Sequence, residues 1–346
     1  LLFEWILLDC FKTIHAERTA SSVYHLLKGK RSIQTVQDAH IYKLNQYYGI
    51  YKHLTKAHFE SKLTGLMKEN FLEESSSLQS GYFITRPGYE WFQKNQPGLS
   101  FEGLRYYDKT DVFLERLLLL IQTLTNSKMS FYSFIPVIDN SKAENWVKQV
   151  YKKVKGKESH VLTKIYEELH ILLSSFSEQE ASIFVDRLTG YKKYGLSLFQ
   201  LAEKYQMTED DVYFTIISMT HRILKSVETD KTVFSVLPIF IKDKNAVNQL
   251  TKSANETYQY LINGYSISQI TSIRNLKENT IFDHIVEIAL YTDNFPIRDY
   301  VNQEEQNEII EAIEKAESYR LKDIKKLVAD HISYFQIRLV IATVNK

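Results

Sequence analysis

The 346-residue sequence holds a single cysteine, Cys10. An internal disulfide therefore cannot form, and a cysteine zinc site cannot be assembled. Cys10 lies in the apolar run FEWILLDCF and reads as a small buried hydrophobe. Only 5 prolines and 11 glycines are present, which argues against a β-sandwich or a long disordered linker and favours helices with short connections. No run of ~18 uncharged apolar residues occurs, so no segment reads as membrane-spanning. The apolar start carries Glu4 and Asp9, which the hydrophobic part of a signal peptide would lack. A cytoplasmic location follows by elimination. A phosphate loop is missing too. Gly29-Lys30 would need a second glycine five residues earlier to curl backbone amides around phosphate, and Tyr24 stands there. The chain is therefore not itself a nucleotide-driven motor.

Hydrophobic residues make up 44% and charged residues 25%, the balance of a soluble globular protein of two or three domains. Tyr (23) and Phe (19) are plentiful, and are read first as core. The net charge of +1 is low for a dedicated nucleic-acid binder, but it is unevenly spread. Residues 1–95 carry 12 Lys and Arg against 9 Asp and Glu; residues 96–250 carry 20 against 19; residues 251–346 carry 11 against 14. Phosphate contact should lean toward the N-terminal part.

Along the chain, Leu1 to Lys28 reads as helical, with Phe3, Ile6, Leu7 and Phe11 and then Val23, Leu26 and Leu27 turned inward. A basic turn follows, with Lys28, Lys30 and Arg31 around Gly29. Ile33 to Tyr48 reads as a second helix. Thr55 to Asn70 reads as a third: Thr55 is its N-cap, Phe59, Leu63, Leu66 and Met67 its apolar stripe, and Lys56, His58, Lys62 and Lys68 its outer face. Phe71–Glu74 and Tyr82–Thr85 read as strands around the loop Ser75–Gly81, and Arg86–Phe92 as a helix. Three helices and a two-stranded wing resemble a winged-helix domain. The run Ile84-Thr85-Arg86-Pro87-Gly88 resembles the exit from the wing in winged-helix regulators. That resemblance implies that the third helix enters the DNA groove and that Ser75–Gly81 is the wing tip.

Leu114 to Leu124 is apolar almost all round, so it is buried, either inside the protomer or in a dimer interface. Lys142 to Lys157 carries six Lys, Lys148, Lys152 and Lys153 among them, against Glu144. This is the strongest basic run: a solvated helix face or a phosphate contact. Ser177 opens a helix running to Tyr191, Leu198–Lys204 is a short helix, and Thr208 starts a long one. This pattern resembles region 4 of sigma factors, but Glu209, Asp210 and Asp211 would repel phosphates, which favours a structural or protein-contact role. Asp243–Asn248 is the expected domain boundary. Beyond it, Tyr258, Leu261 and Ile262 mark a helix that Gly264 ends. Ser266 and Gln269 have capping-box spacing and start a second, lined by Ile267, Ile270 and Ile273. Asn275-Leu276 turns into a third, Lys277 to Leu290. Two short helices joined by such a turn form a helix-turn-helix. Glu304, Glu305, Glu308, Glu311 and Glu314 could suggest a metal-dependent nuclease, but at helical spacing they read as a solvated face.

Two passages carry a family resemblance. Gly264–Ile270, Asn279–Ile285 and Ser333–Val340 are similar to the helix-turn-helix domain appended to some RecQ-type helicases. Tyr24–Asp38 resembles the YpbB family, Firmicutes proteins encoded beside a RecQ-like helicase. The resemblance implies a non-catalytic DNA-binding or adaptor protein that supports a RecQ-like DNA helicase in DNA repair or recombination; a nucleoid-associated place within the cytoplasm is compatible with it. In that family pattern Lys277, Asn279, Thr280 and His284 stand at the DNA-facing end. Lys277 replaces the usual Ser cap, which weakens the cap but adds a positive charge. The alternative is a dimeric helix-turn-helix transcriptional regulator joined through 114–124; a third possibility is a pure protein adaptor. The expected architecture is mostly α, an array of helix-turn-helix and winged-helix units with one small β-wing. Its segments are 1–95 (winged-helix-like), 96–157 (helical connector), 158–242 (sigma-region-4-like) and 243–346 (helicase-type helix-turn-helix). No catalytic residue, metal ligand or cofactor is assigned.

Overall fold

The computed structural model describes residues 1–76, 81–243 and 250–344. Among them are 18 α-helices and one two-stranded antiparallel sheet, the mostly α architecture expected. Packing divides the chain into two units: residues 1–6 with 95–245, and residues 7–94 with 246–346. Each unit joins two stretches that are far apart in sequence. Most of the expected linker 243–248 lies outside the described residues.

In the N-terminal segment, α1 (Leu2–Ile14) and α2 (Ala20–Lys28) are separate helices, not the continuous one expected. His15 and Ala16 take left-handed backbone angles (φ 48° and 54°) between them. Tertiary bonds hold this break: Arg320 donates to the Ala16 carbonyl at 2.5 Å, and the Tyr319 N–H donates to Glu17 at 3.0 Å. α3 (Ile33–Ile41) ends seven residues before Tyr48, and a 3-10 turn at Asn45–Tyr47 follows. Then come α4 (Lys56–Lys68), β1 (Leu72–Glu74), β2 (Tyr82–Ile84) and α5 (Arg86–Lys94). The strands pair Leu72 with Ile84, Glu73 with Phe83 and Glu74 with Tyr82. Cys10 is fully buried, as expected, and burial beside Asp9 pushes its thiol pKa well up.

The middle unit contains α6 (Gly103–Tyr106), α7 (Thr110–Lys128), α8 (Ser141–Val154), α9 (Glu158–Leu173), α10 (Glu178–Asp186), α11 (Leu198–Tyr205) and α12 (Glu209–Thr229). Leu117, Leu119, Leu120 and Leu124 of α7 join Ile223 and Leu224 of α12 and Phe240 in one core. None of residues 114–124 is exposed. Of the two places open for this stretch, the interior takes most of it, while Leu114 and Ile121 are half-buried. α10 stops at Asp186 instead of Tyr191. At α12, the Thr208 hydroxyl accepts from the Asp211 N–H at 3.1 Å as a cap. Asp210 and Asp211 are buried, and Asp211 accepts from the Leu2 N–H at 2.7 Å. These two carboxylates belong to packing, in line with the structural reading.

The last segment contributes α13 (Lys252–Ile262), α14 (Ile267–Arg274), α15 (Glu278–Tyr291), α16 (Gln303–Ala316), α17 (Leu321–Lys325) and α18 (Tyr334–Val344). α15 is central, with α3, α13, α14 and α18 packed around it. α13 buries Ala254 and Thr257; Ile262 is exposed, contrary to the expected stripe. Ile270 of α14 is buried as expected, whereas Ile273 is exposed. Two acidic residues of α16 have structural partners: Glu305 completes a capping box with Asn302, and Glu308 accepts from the Ala329 N–H at 2.6 Å. Among the described residues no helix is long and apolar enough to cross a membrane.

Candidate nucleic-acid interface

α4 owes its start to Thr55, whose hydroxyl accepts from the His58 N–H at 3.2 Å. Phe59, Leu63 and Leu66 turn inward. The opposite face, Ala57, Ser61, Thr64, Gly65 and Lys68, is exposed over three turns. A Cβ added at Gly65 would meet nothing within 4 Å. Small side chains at such spacing let a helix approach a groove closely. Sequence reasoning noticed the lysines but missed this small-residue face; its signal was the i, i+4, i+7, i+8 recurrence of small residues, Ala57, Ser61, Thr64 and Gly65.

The wing exit has a physical basis. Thr85 donates its hydroxyl hydrogen to the Asn70 carbonyl at 2.5 Å, and its oxygen accepts from the Gly88 N–H at 3.1 Å. A Cβ at Gly88 would stand 2.3 Å from the Phe71 carbonyl oxygen, so glycine lets α5 lie directly on the strand entry. The wing carries exposed Glu73 and Glu74, which limits its approach to phosphate. Residues 77–80 of the expected wing tip lie outside the described residues.

The basic turn is divided in its uses. The Lys28 ammonium donates to the Leu54 carbonyl at 3.1 Å and lies 5.6 Å from the Tyr24 ring, so it is half-buried and serves the fold. The same bond places the end of α2 beside the start of α4. Lys30 and Arg31 are exposed, just before Ser32 caps α3 by accepting from the Thr35 N–H at 3.4 Å. Arg31 also acts electrostatically on Glu287. On α4, Lys56 is exposed and 3.5 Å from Glu60, His58 lies edge-on to Tyr51, and Lys62 is half-buried.

On α8 the pattern is cleaner. Ala143 and Val147 are buried, while Lys142, Lys148, Lys152 and Lys153 are exposed, as are Lys155 and Lys157 just beyond it. Lys148 pairs with Glu144 at 3.3 Å.

The C-terminal helix-turn-helix is formed as expected. Ser266 and Gln269 make a capping box, Gly264 takes φ +81°, and Asn275 closes α14 at φ 50°. Lys277 makes no side-chain cap for α15. Lys277 and Asn279 are exposed and Thr280 is half-buried, but from Ile281 onward α15 is largely enclosed. His284 is a correction: it is buried, with Nδ1 2.8 Å from the Thr257 hydroxyl and 3.4 Å from Arg274, and does not face solvent. Burial, then the Arg274 charge, lowers its pKa from the ordinary histidine range. The unfolded chain therefore binds a proton more readily than the folded one, so this group's contribution is full above about pH 6.5 and falls as pH drops below it. The His284→Gln variant is expected to lose less stability than the parent between about pH 7 and 5. Denaturant midpoints at the two pH values check this; equal losses would contradict it.

A family model described as a helix-turn-helix domain matches residues 253–341, which points to DNA binding. The protein YpbB of Bacillus subtilis (strain 168) is 31% identical over 344 residues, covering 98% of this chain and 96% of that protein. No solved structure matches the chain. With a capped helix-turn-helix at its C-terminal end and a relative aligned over nearly its whole length, this chain belongs to the YpbB family.

Proposed function

We propose that the protein binds duplex DNA through α4, with Lys30 and Arg31 on the flanking backbone. It acts in the cytoplasm, without catalysis, as an adaptor for a RecQ-like DNA helicase in repair or recombination. The observation that carries this reading is a contrast between two helices of one unit. α4 presents small side chains and lysines over three turns. α15, the second helix of the C-terminal motif, is covered by α3, α13 and α18 beyond its first turn. A major groove admits a helix only if its face is free.

The Lys30→Glu and Lys56→Glu variants test the DNA half. Each is expected to weaken duplex binding roughly tenfold and to flatten the salt dependence by about one ion. Unchanged affinity and slope would defeat it. The adaptor half is checked by pull-down from lysate: a directly bound helicase stays after nuclease treatment, and one bridged by DNA is lost. The burial of Leu117–Leu120 and Leu124 speaks against the alternative of a dimeric regulator joined through 114–124.

A further inference from the structure

Exposed aromatic residues occur at several places among the described residues, and three of them lie near one another. Tyr132 is 65% exposed, Tyr194 83% and Phe131 43%. All three belong to the middle unit, near the C-terminal end of α7. The left-handed Ser130 (φ 54°) turns the chain there, and the Phe131 N–H returns to the Asn126 carbonyl at 3.0 Å. The buried side chain of Gln122 pins the following arch, donating to the Ile135 carbonyl at 2.9 Å and accepting from the Val137 N–H at 2.8 Å. The second aromatic group sits on a tight turn in which Gly190 and Lys193 bond through their backbones. Behind that turn Gly195 is required, since a Cβ there would meet the Arg187 carbonyl oxygen at 2.2 Å. The turn docks on α7, with Thr125 3.5 Å from a Cβ at Gly190, and Phe131 meets Tyr191 edge-on at 5.9 Å. The turns that carry these rings are therefore shaped by the buried Gln122 and by Gly195.

Cations surround them. Lys128, Lys192 and Lys193 are exposed, and Lys192 lies 5.3 Å from the Tyr191 ring. The C-terminal end of α8 is tied to the same end of α7, because the Ser127 hydroxyl is 2.7 Å from that of Tyr151. That bond brings in the exposed Lys152, Lys153, Lys155 and Lys157. The nearby carboxylates are already engaged: Glu158 accepts from Ser127 at 3.1 Å, and Asp186 is bonded by Lys204 and Tyr205, with Lys193 facing it.

We propose that Phe131, Tyr132, Tyr191 and Tyr194, with the lysines of α8 and of the 190–193 turn, form a binding site for single-stranded nucleic acid. Exposed rings offer every base a stacking face, and the lysines track the phosphates; a duplex keeps its bases stacked inside and cannot use the rings. The proposal goes beyond the α4 reading: it concerns a different strand state and a different unit.

The test uses the full chain and a fluorescent oligothymidine of roughly 16 nucleotides, with a duplex of equal length as the second probe. A Phe131→Ala and Tyr194→Ala double variant is expected to weaken oligothymidine binding at least about tenfold with an unchanged salt slope. The Lys152→Glu and Lys153→Glu variants should weaken it and flatten the slope. Both sets should leave duplex binding through α4 in place. Oligothymidine affinity that ignores the aromatic variants overturns the proposal and leaves those rings to a protein partner. No affinity for the single strand, with duplex binding intact, overturns it while the α4 reading stands; failure of both probes overturns both.

Discussion

The Glu168→Ala variant is expected to destabilise the unit formed by residues 1–6 and 95–245 by about 4 kcal/mol, visible as a melting point lower by roughly 10 °C. Glu168 is 4% exposed. One carboxylate oxygen accepts from the Ser235 N–H at 2.7 Å, the Ser235 hydroxyl at 3.0 Å and the Val236 N–H at 2.9 Å; the other accepts from the Leu237 N–H at 2.8 Å. The carboxylate thus substitutes for the missing first turn of the 3-10 segment Leu237–Ile241, which carries Pro238. Alanine would leave three backbone donors without partners, at roughly 1–3 kcal/mol each, partly offset because no carboxylate is then desolvated. Glu168→Gln keeps one strong acceptor and should lose about half as much. Calorimetry of the three proteins decides; equal melting points would show that the 235–237 donors find water instead.

The second large effect concerns the N-terminal segment by itself. A fragment of residues 7–94 is expected not to unfold cooperatively, and to regain a sharp transition when co-expressed with residues 246–346. α3 packs on α15 and α18, so separation would expose Ala39 and Ile41 from one side and Ile285, Ile288 and Val340 from the other. Polar bonds would go as well: Arg18 reaches both Asp38 (2.9 Å) and the Tyr319 carbonyl (3.3 Å), and Gln37 donates to the Arg338 carbonyl at 3.0 Å. Arg18 and Asp38 would remain with half their setting removed, a costly state for charges designed to be buried. Circular dichroism melts of the fragment and of the co-expressed pair check this. A sharp transition in 7–94 alone would show that the winged helix is an autonomous domain.

That interdependence was not legible in the sequence. Local devices were: Thr55 and Ser266 announce their helices because a hydroxyl satisfies orphan N–H groups, Gly264 supplies the left-handed turn, and Thr85 with Gly88 closes the wing. Each depends on neighbours within a few residues. The break at His15–Ala16 does not; left-handed angles at non-glycine residues are imposed there by Tyr319 and Arg320, about 300 positions away. His284 illustrates the same limit. Its place in the motif suggested solvent, and only the packing of α13 and α14 shows that Thr257 and Arg274 enclose it. Ile262 and Ile273 fit an inward stripe by spacing yet face outward, because their helices bury narrower faces than the periodicity allows. The exposed aromatics near α7 were hidden for a related reason: composition assigns rings to cores, and Tyr132 and Tyr194 lie by turns shaped by Gln122 and Gly195.

Duplex DNA is expected to meet α4 and not α15. Amide hydrogen exchange of the full chain with and without a duplex locates that contact directly. Slowed exchange is expected across residues 28–32 and 55–70, with α15 unchanged beyond its first turn. Protection confined to residues 264–283, with α4 exchanging as in the free protein, would contradict it.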